Sequence, residues 1–296
     1  MSTIERAMRQ QDGLPPAPET APAAPASAPE FTPEVRPSRD AASTASRLHL
    51  DFEQLRQQGY LVPGDPAERL SEEFQQIKRR VIGNTVPGML RHGRAPNLVL
   101  VTSAIPGEGK TYTTMNLALS IAMEIDRRVL AVDSDIMKSD LGRLFGAWNK
   151  PGLYDLLLHP ALDAGEVIAR TNVPGLSFMP AGTVREGITE RLASQAMVRL
   201  VGELAERYAD RLILFDAAPV LAMSGAAALA PLMGQVVMVV EAARTSREML
   251  MRALAALEHA EVTGVVLNKI RHRREGSAYG YAYGHAYAGA QPGVAA

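Results

Sequence analysis

The chain contains no cysteine and one tryptophan, and aromatic residues make up only 5% of its 296 positions. Without cysteine there can be no disulfide and no thiolate metal site, a usage that fits a reducing compartment. No apolar run approaches the roughly 20 residues that span a bilayer. The N-terminus lacks the compact hydrophobic stretch of a secretory signal. A charge excess is missing too: 31 Lys and Arg against 32 Asp and Glu leave a formal charge of −1. Nothing global therefore points to nucleic acid or to an acidic surface. The expectation is a soluble cytoplasmic protein, and 47% hydrophobic residues are ample for a core.

The most informative stretch is Ala104-Ile-Pro-Gly-Glu-Gly-Lys-Thr111. It follows the apolar run Leu98-Val-Leu-Val101 and precedes an amphipathic stretch from Thr113 to Glu124, which reads as strand, glycine-rich loop and helix. The spacing is that of a phosphate-binding loop, with Ala104 where Gly is commoner. Gly107 and Gly109 let the backbone turn its N–H groups inward on a polyphosphate, and the helix N-terminus behind them adds partial positive charge. Lys110 can reach the β- and γ-phosphates of a nucleotide, and the Thr111 hydroxyl suits Mg²⁺. The candidate nucleotide-binding residues are Pro106, Gly107, Glu108, Gly109, Lys110, Thr111 and Tyr112, and ATP with Mg²⁺ is the expected cofactor pair.

Around this loop the chain reads in order as follows. Residues 1–45 are dense in Pro and Ala, which block helix and sheet and leave little to bury, so a disordered or polyproline-like tether or a passive tail is expected. Leu48, Phe52 and Leu55 repeat at helical spacing, and residues 71–80 suggest a second helix with Ser71 near its N-cap. Glu72 and Lys78 on that helix either pair between subunits or line a solvated face. From Asn97 apolar strands alternate with helical segments, the pattern of an α/β fold: a doubly wound, mostly parallel sheet with helices on both faces. Arg128-Val-Leu-Ala-Val-Asp-Ser-Asp135 is a buried strand ending in two carboxylates. Asp133 and Asp135 are two apart, share one side of an extended chain, and suit metal coordination or proton abstraction. Leu153–Leu158 and residues 190–208 read as helices, and Leu176–Met179 as a short strand. Arg211-Leu-Ile-Leu-Phe-Asp216 has the form of a Walker B strand whose Asp holds Mg²⁺. A strand at 235–240, a helix at about 246–259 and a last strand at 262–268 follow. Asn268 either hydrogen-bonds a purine or simply caps the strand.

The C-terminus changes character. After Arg271-His-Arg-Arg274, four of the eight tyrosines (Tyr279, Tyr281, Tyr283 and Tyr287) fall among Gly and Ala spacers that cannot build a core. Three uses remain open: aromatic adhesion in low-complexity chain, base stacking on nucleic acid, or an exposed phospho-acceptor array. The nucleotide site favours the last, since it places a phosphoryl donor in the same chain. Four phosphates would add about −6 to −8 of charge.

The phosphate loop, the second acidic motif Val132-Asp-Ser-Asp-Ile-Met-Lys138, the strand Leu212-Ile-Leu-Phe-Asp216 and the tyrosine-rich tail together resemble the bacterial tyrosine kinases of exopolysaccharide synthesis. The segments around Gly59-Tyr-Leu-Val-Pro63 and Glu72-Glu-Phe-Gln-Gln-Ile-Lys-Arg79 most resemble the exosortase-associated subgroup of autokinases. The resemblance implies the fold of P-loop NTPases and a protein-tyrosine kinase activity. In it Lys110 and Thr111 bind phosphates and Mg²⁺, Asp133 is the base, Asp135 lies beside it, and Asp133 and Asp216 attend the metal. It implies tail tyrosines phosphorylated by a neighbouring subunit of a homo-oligomer, possible as a ring, whose contacts involve the Glu72 helix. It further implies a cognate tyrosine phosphatase, a membrane activator of the chain-length-determinant (Wzz) type on a separate polypeptide, no nucleic acid, and a place at the inner face of the cytoplasmic membrane. The expected organisation is a disordered tail over 1–45, a helical oligomerisation segment over 46–96, a P-loop kinase domain over 97–274 and a flexible tyrosine-rich tail over 275–296. Departures are Gln75 and Lys78 where the family carries arginines, and Met137, Lys138 and Ser139 after Asp135. The alternatives are a MinD/ParA-like positioning ATPase, against which Ile105 stands in place of the signature lysine, and a non-catalytic nucleotide-gated adaptor of chain-length control.

Overall fold

The structure, a computed structural model, describes residues 46–64, 68–85, 94–135, 137–183 and 187–270. Among them are the strands β1 (Arg47–Leu48), β2 (Leu98–Ser103), β3 (Val129–Ser134), β4 (Ala169–Thr171), β5 (Leu176–Met179), β6 (Leu212–Ala217), β7 (Gln235–Glu241) and β8 (Val262–Asn268). The helices are α1 (Phe52–Gln57), α2 (Glu68–Gly83), α3 (Lys110–Ala122), α4 (Asp140–Leu144), α5 (Leu153–Leu158), α6 (Ala164–Val167), α7 (Ile188–Leu192), α8 (Gln195–Arg207), α9 (Ser224–Leu229) and α10 (Arg247–Ala255). The strands form one sheet in the order β1-β4-β5-β3-β6-β2-β7-β8. Every neighbouring pair is parallel except β4 with β5.

Along β2, β3, β6 and β7 both faces of the sheet are buried, which is why these strands read as continuous apolar runs rather than alternating ones. Successive residues of β2 enter different cores. Leu98 and Leu100 pack with Leu153 of α5, Val201 of α8 and Leu229 of α9. Val99 and Val101 pack on the other side with Leu55 of α1, Phe74 of α2 and Leu117 of α3. The pleat sends neighbours to opposite faces, so a strand filled with Leu and Val serves both layers at once. The N-terminal segment contributes Leu48, Leu50, Leu55, Leu61 and Phe74 to the same cluster as Val99 and Leu117.

Several local expectations are corrected. Leu48 lies in strand β1, not in a helix; helix α1 starts only at Phe52, because the Asp51 carboxylate accepts from the N–H groups of Glu53 and Gln54 at 2.9 and 3.1 Å and fixes the start there. Ser71 lies inside α2 rather than at its cap. Helix α3 is not amphipathic: residues 113–121 are all buried, since α2 covers the face turned away from the sheet. The helix expected over 190–208 is two, α7 and α8. Ser194 leaves helical backbone at φ −88° and ψ 161°, and its hydroxyl donates to the Arg191 carbonyl at 2.6 Å. The strands β1 and β4, of two and three residues, are too short to show as periodicity.

Neither reading left open for Lys78, a pair between subunits or a solvated face, describes its place: the side chain is buried within the chain. Its ammonium pairs with the Glu124 carboxylate at 2.8 Å and donates to the Ser120 carbonyl at 3.2 Å, with the side chain 8% exposed. The charge therefore ties α2 to the C-terminal end of α3 within one chain, where a helix terminus favours a cation. Glu72 stays exposed on α2. Replacing Lys78 by Ala leaves the Ser120 carbonyl and part of Glu124 without their donor. The expected loss is about 1–3 kcal/mol of unfolding free energy, read from urea denaturation.

Candidate active site

The loop between β2 and α3 is held open by its own backbone. Gly107 has φ +89° and Gly109 φ +97°, the left-handed region that side chains rarely adopt. A Cβ at position 109 would be strained at this φ and would meet the Asn268 side-chain nitrogen, so an alanine there would have to displace the Asn268 amide. Pro106 and Gly107 are exposed at the rim, and α3 begins directly after Gly109, so its free N–H groups and dipole face the loop.

Glu108 is fully buried, and its carboxylate turns away from the concavity. It accepts from Ile105 N–H at 2.7 Å, from Glu241 N–H at 3.3 Å and from the Thr245 hydroxyl. Only its backbone is free to serve a phosphate. From the end of β8, the Asn268 amide donates to the Glu108 carbonyl at 2.9 Å, and Lys269 donates to the Gly107 carbonyl at 2.7 Å while pairing with Glu241 at 3.0 Å. Asn268 thus serves the loop backbone in this structure rather than presenting its amide outward to a purine. Tyr112 is also turned elsewhere: its hydroxyl donates to the Gly59 carbonyl at 2.9 Å, and its ring lies 5.2 Å from Tyr60 and 6.2 Å from Phe74. Thr245, Glu241 and Lys269 escaped the sequence reading, because their partners are more than a hundred residues away in Glu108 and Gly107 or sit in a turn without a motif. One backbone sign accompanies them: Lys269 adopts φ +56°.

Two strands deliver the acids: β3 carries Asp133 with Asp135 just beyond its end, and β6 carries Asp216. β6 lies between β2 and β3, and the β3–β6 register pairs Asp133 directly with Asp216. The Lys110 ammonium lies 2.8 Å from Asp135 Oδ2 and 3.5 Å from Asp216 Oδ2, and donates to Thr111 Oγ1 at 3.0 Å. The Thr111 hydroxyl in turn donates to Asp216 Oδ2 at 2.7 Å, and Thr114 donates to Asp216 Oδ1 at 3.3 Å. Asp133 accepts from Asp135 N–H at 3.1 Å, the Ser139 hydroxyl at 2.6 Å and Gly142 N–H at 2.9 Å. Lys110, Thr111, Asp135 and Asp216 therefore form one contact chain, and Asp133 adjoins it through Asp135. Tyr279, Tyr281, Tyr283 and Tyr287 lie outside the described residues.

The electrostatics follow from one cation among three buried carboxylates. Burial alone would lower the Lys110 pKa, but Asp216 and Asp135 outweigh it and hold the ammonium above its ordinary value. Burial raises Asp216, opposed first by Lys110. Burial, and then the charge of Asp216, push Asp133 up to about 7 against the three hydrogen bonds it accepts. This negative excess is the observation against which a divalent cation is tested, and it fits. Thr111 Oγ1 and Asp216 Oδ2 would hold Mg²⁺ beside the phosphate loop, with phosphate oxygens completing its shell. Among the described residues no cluster of three or more His, Cys, Asp or Glu forms a ready-made metal cage. Such a cage is not needed for an ion that arrives with its nucleotide.

Comparison with known proteins agrees with this geometry. Residues 99–283 match the family described as the CobQ/CobB/MinD/ParA nucleotide binding domain. The chain is 39% identical over 176 residues to EpsB of Ralstonia nicotianae, across 59% of this chain and 23% of that protein. It is 27% identical over 227 residues to the tyrosine-protein kinase YwqD of Bacillus subtilis, across 76% and 91%. It thus spans about a quarter of the length of EpsB but most of YwqD. Among solved structures, the VpsO kinase domain superposes with a TM-score of 0.60 at 26% identity, over 74% of this chain and 98% of that one. The kinase domain of Escherichia coli ETK superposes at 0.62 and 22% identity, over 81% and 95%, and shares the fold. With more than half of its length matched, the chain belongs to the CobQ/CobB/MinD/ParA nucleotide-binding family, and within it is similar to bacterial proteins named tyrosine kinases.

Proposed function

We propose that the chain is an ATP- and Mg²⁺-dependent protein-tyrosine autokinase that phosphorylates Tyr279, Tyr281, Tyr283 and Tyr287 in trans and regulates exopolysaccharide polymerisation and export. The observation that carries this reading is the convergence of Lys110, Thr111, Asp135 and Asp216 beside a left-handed glycine loop, with Asp133 as a nearby carboxylate of raised pKa. The likeness to proteins named tyrosine kinases supports the choice of acceptor.

In this mechanism the loop N–H groups and Lys110 hold the β- and γ-phosphates. Lys110 leaves Asp135 and Asp216 to do so, exchanging carboxylate oxygens for phosphate oxygens. Bound Mg²⁺ supplies neutralisation of the charge shared between the β- and γ-phosphates. Asp133 accepts the proton of an incoming tyrosine hydroxyl. The phenolic oxygen bonds to the γ-phosphorus as the bond to the bridging oxygen breaks, and ADP departs. A carboxylate with a pKa near 7 is suited to that proton transfer at neutral pH. Among the described residues no helix is long and apolar enough to cross a membrane. In this reading a membrane chain-length-determinant protein on another polypeptide brings the kinase to the bilayer, neighbouring copies exchange tails, and a tyrosine phosphatase resets them.

Purified chain incubated with ATP and Mg²⁺ gains phosphotyrosine that mass spectrometry maps to residues 279–287, and replacing all four tail tyrosines by Phe removes it. ATP hydrolysis without tyrosine modification, with the membrane activator present, would overturn the kinase reading in favour of a nucleotide-gated adaptor.

A further inference from the structure

Ser134, the last residue of β3, stands between Asp133 and Asp135 and is held from two directions. Its hydroxyl donates to the Asp216 carbonyl of β6 at 2.9 Å, and its own carbonyl accepts from the Tyr154 hydroxyl of α5 at 2.6 Å. β5 pairs with β3 as far as Val132, opposite Met179; beyond that point α5 reaches the strand with a side chain. Tyr154 belongs neither to the phosphate loop nor to the acids, yet its hydroxyl ends on the backbone that joins two of them.

Tyr154 is itself firmly placed. It is fully buried, in the same core as Val132 and Met179. The N–H groups of Leu153 and Tyr154 donate to the Pro180 and Ala181 carbonyls at 2.9 and 2.8 Å. The neighbouring Asp155 carboxylate accepts from Gly152 N–H at 2.9 Å and from Thr183 N–H at 3.1 Å. The start of α5 is thereby fastened to the loop after β5. Burial, and then the charges of Asp133 and Asp135, hold the Tyr154 phenol well above its ordinary pKa, so it stays neutral and remains a donor.

We propose that Tyr154 is a positioning residue for phosphoryl transfer, acting on Asp133 through the peptide that joins Ser134 to Asp135. The proposal rests on the reading above that Asp133 takes the hydroxyl proton. A peptide group is planar, so its carbonyl and its N–H turn together. The carbonyl of this peptide is the one that Tyr154 holds. Its N–H is that of Asp135, which donates to Asp133 Oδ1 at 3.1 Å. Fixing one end of the plane therefore aims the other at the carboxylate. Hydrogen bonds in series also polarise one another, so the phenol strengthens the donor at the far end of the peptide. Asp133 Oδ2 is held separately, by the Ser139 hydroxyl and Gly142 N–H. Loss of the Tyr154 hydroxyl loosens the Oδ1 side alone, and the carboxylate turns about its Oδ2 contacts, away from the orientation that receives a proton. Tyr154 acts only through the backbone, so its loss lowers turnover and leaves the binding of both substrates as it was.

The test compares Tyr154→Phe, which keeps the ring and loses the hydroxyl, with Val201→Ala, which opens the same core from α8 and removes no hydrogen bond. Both are made in the full chain with its four tail tyrosines replaced by Phe, and a synthetic peptide of residues 277–287 serves as acceptor. In Tyr154→Phe, kcat is expected to fall about tenfold or more, with KM for ATP and for the peptide within about twofold of the parent. Val201→Ala is expected to keep kcat within about twofold, which separates positioning from a general loss of packing. Amide exchange followed by NMR reads the same contact without catalysis. The Asp135 N–H is expected to exchange at least about tenfold faster in Tyr154→Phe, while the Leu130 and Ala131 amides in the middle of β3 keep their rates. Unchanged kcat in Tyr154→Phe overturns the proposal, as does an equal fall in Val201→Ala or an Asp135 amide whose exchange is unaffected. An Asp135 amide that exchanges in the parent as fast as in an unfolded chain overturns it without any variant. If the parent transfers no phosphate, the kinase reading fails alone, and the exchange rates still decide whether Tyr154 sets the Asp135 N–H.

Discussion

Lys110→Met lowers phosphoryl transfer by about 10³-fold or more, because it removes the ammonium aimed at the β- and γ-phosphates. The same substitution has a second cost that a surface lysine would not carry. In the nucleotide-free protein the Lys110 ammonium lies against Asp135 at 2.8 Å and Asp216 at 3.5 Å, both buried. A methionine fills the volume but leaves these carboxylates without their cation. Removing one partner of a buried ion pair costs about 3–5 kcal/mol, less whatever the orphaned carboxylates recover by taking up a proton. That escape is open only at low pH. The stability gap between wild type and Lys110→Met is therefore expected to be largest near pH 8 and to shrink as pH falls. Thermal unfolding of both proteins at pH 5.5 and 8 measures the gap, and labelled phosphate transfer, at a temperature where circular dichroism shows the variant folded, measures activity. Retention of transfer within a few-fold of wild type would remove Lys110 from the site.

Legibility followed the length scale of each feature. The phosphate loop was readable because backbone curvature, glycine freedom and a phosphate-seeking lysine are all encoded within eight consecutive residues. The three carboxylates were readable for a related reason: each ends an apolar run, and a parallel sheet brings the carboxyl ends of its strands together whatever their order. Their pairing was not. That Asp133 faces Asp216 depends on β6 lying between β2 and β3, which no local pattern states. The same holds for Glu108, which by composition looked like part of the phosphate cradle. Its side chain instead fastens the loop to Thr245 and Glu241, and Asn268 and Lys269 complete the attachment. Lys78 misled for the opposite reason. Helical spacing put it among polar residues, and only the packing of α2 on α3 shows that it is buried against Glu124.

Asp133→Asn is expected to reduce phosphoryl transfer by about 10²–10⁴-fold, the usual contribution of a positioned proton acceptor. Activity loss alone does not separate a base from a structural carboxylate, but the titration does. Burial and the neighbouring charge of Asp216 raise Asp133 from the ordinary 3.8 to about 7. Between those values the folded protein holds a proton that the unfolded chain has released. The group's contribution to stability is therefore complete below pH 3.8, declines as pH rises, and is lost above about 7. The slope is at most about 1.4 kcal/mol per pH unit for one proton. An asparagine carries no such proton, so stability measured from pH 4.5 to 7.5 should fall less steeply in the variant, with nucleotide and metal absent. A constant offset of about 1 kcal/mol is also expected, because the amide cannot accept from Asp135, Ser139 and Gly142 at once. That offset does not change with pH, so the difference in slope is the diagnostic quantity. Parallel curves for the two proteins would mean that Asp133 is ionised throughout, held by its three donors, and that the hydroxyl proton leaves by another route.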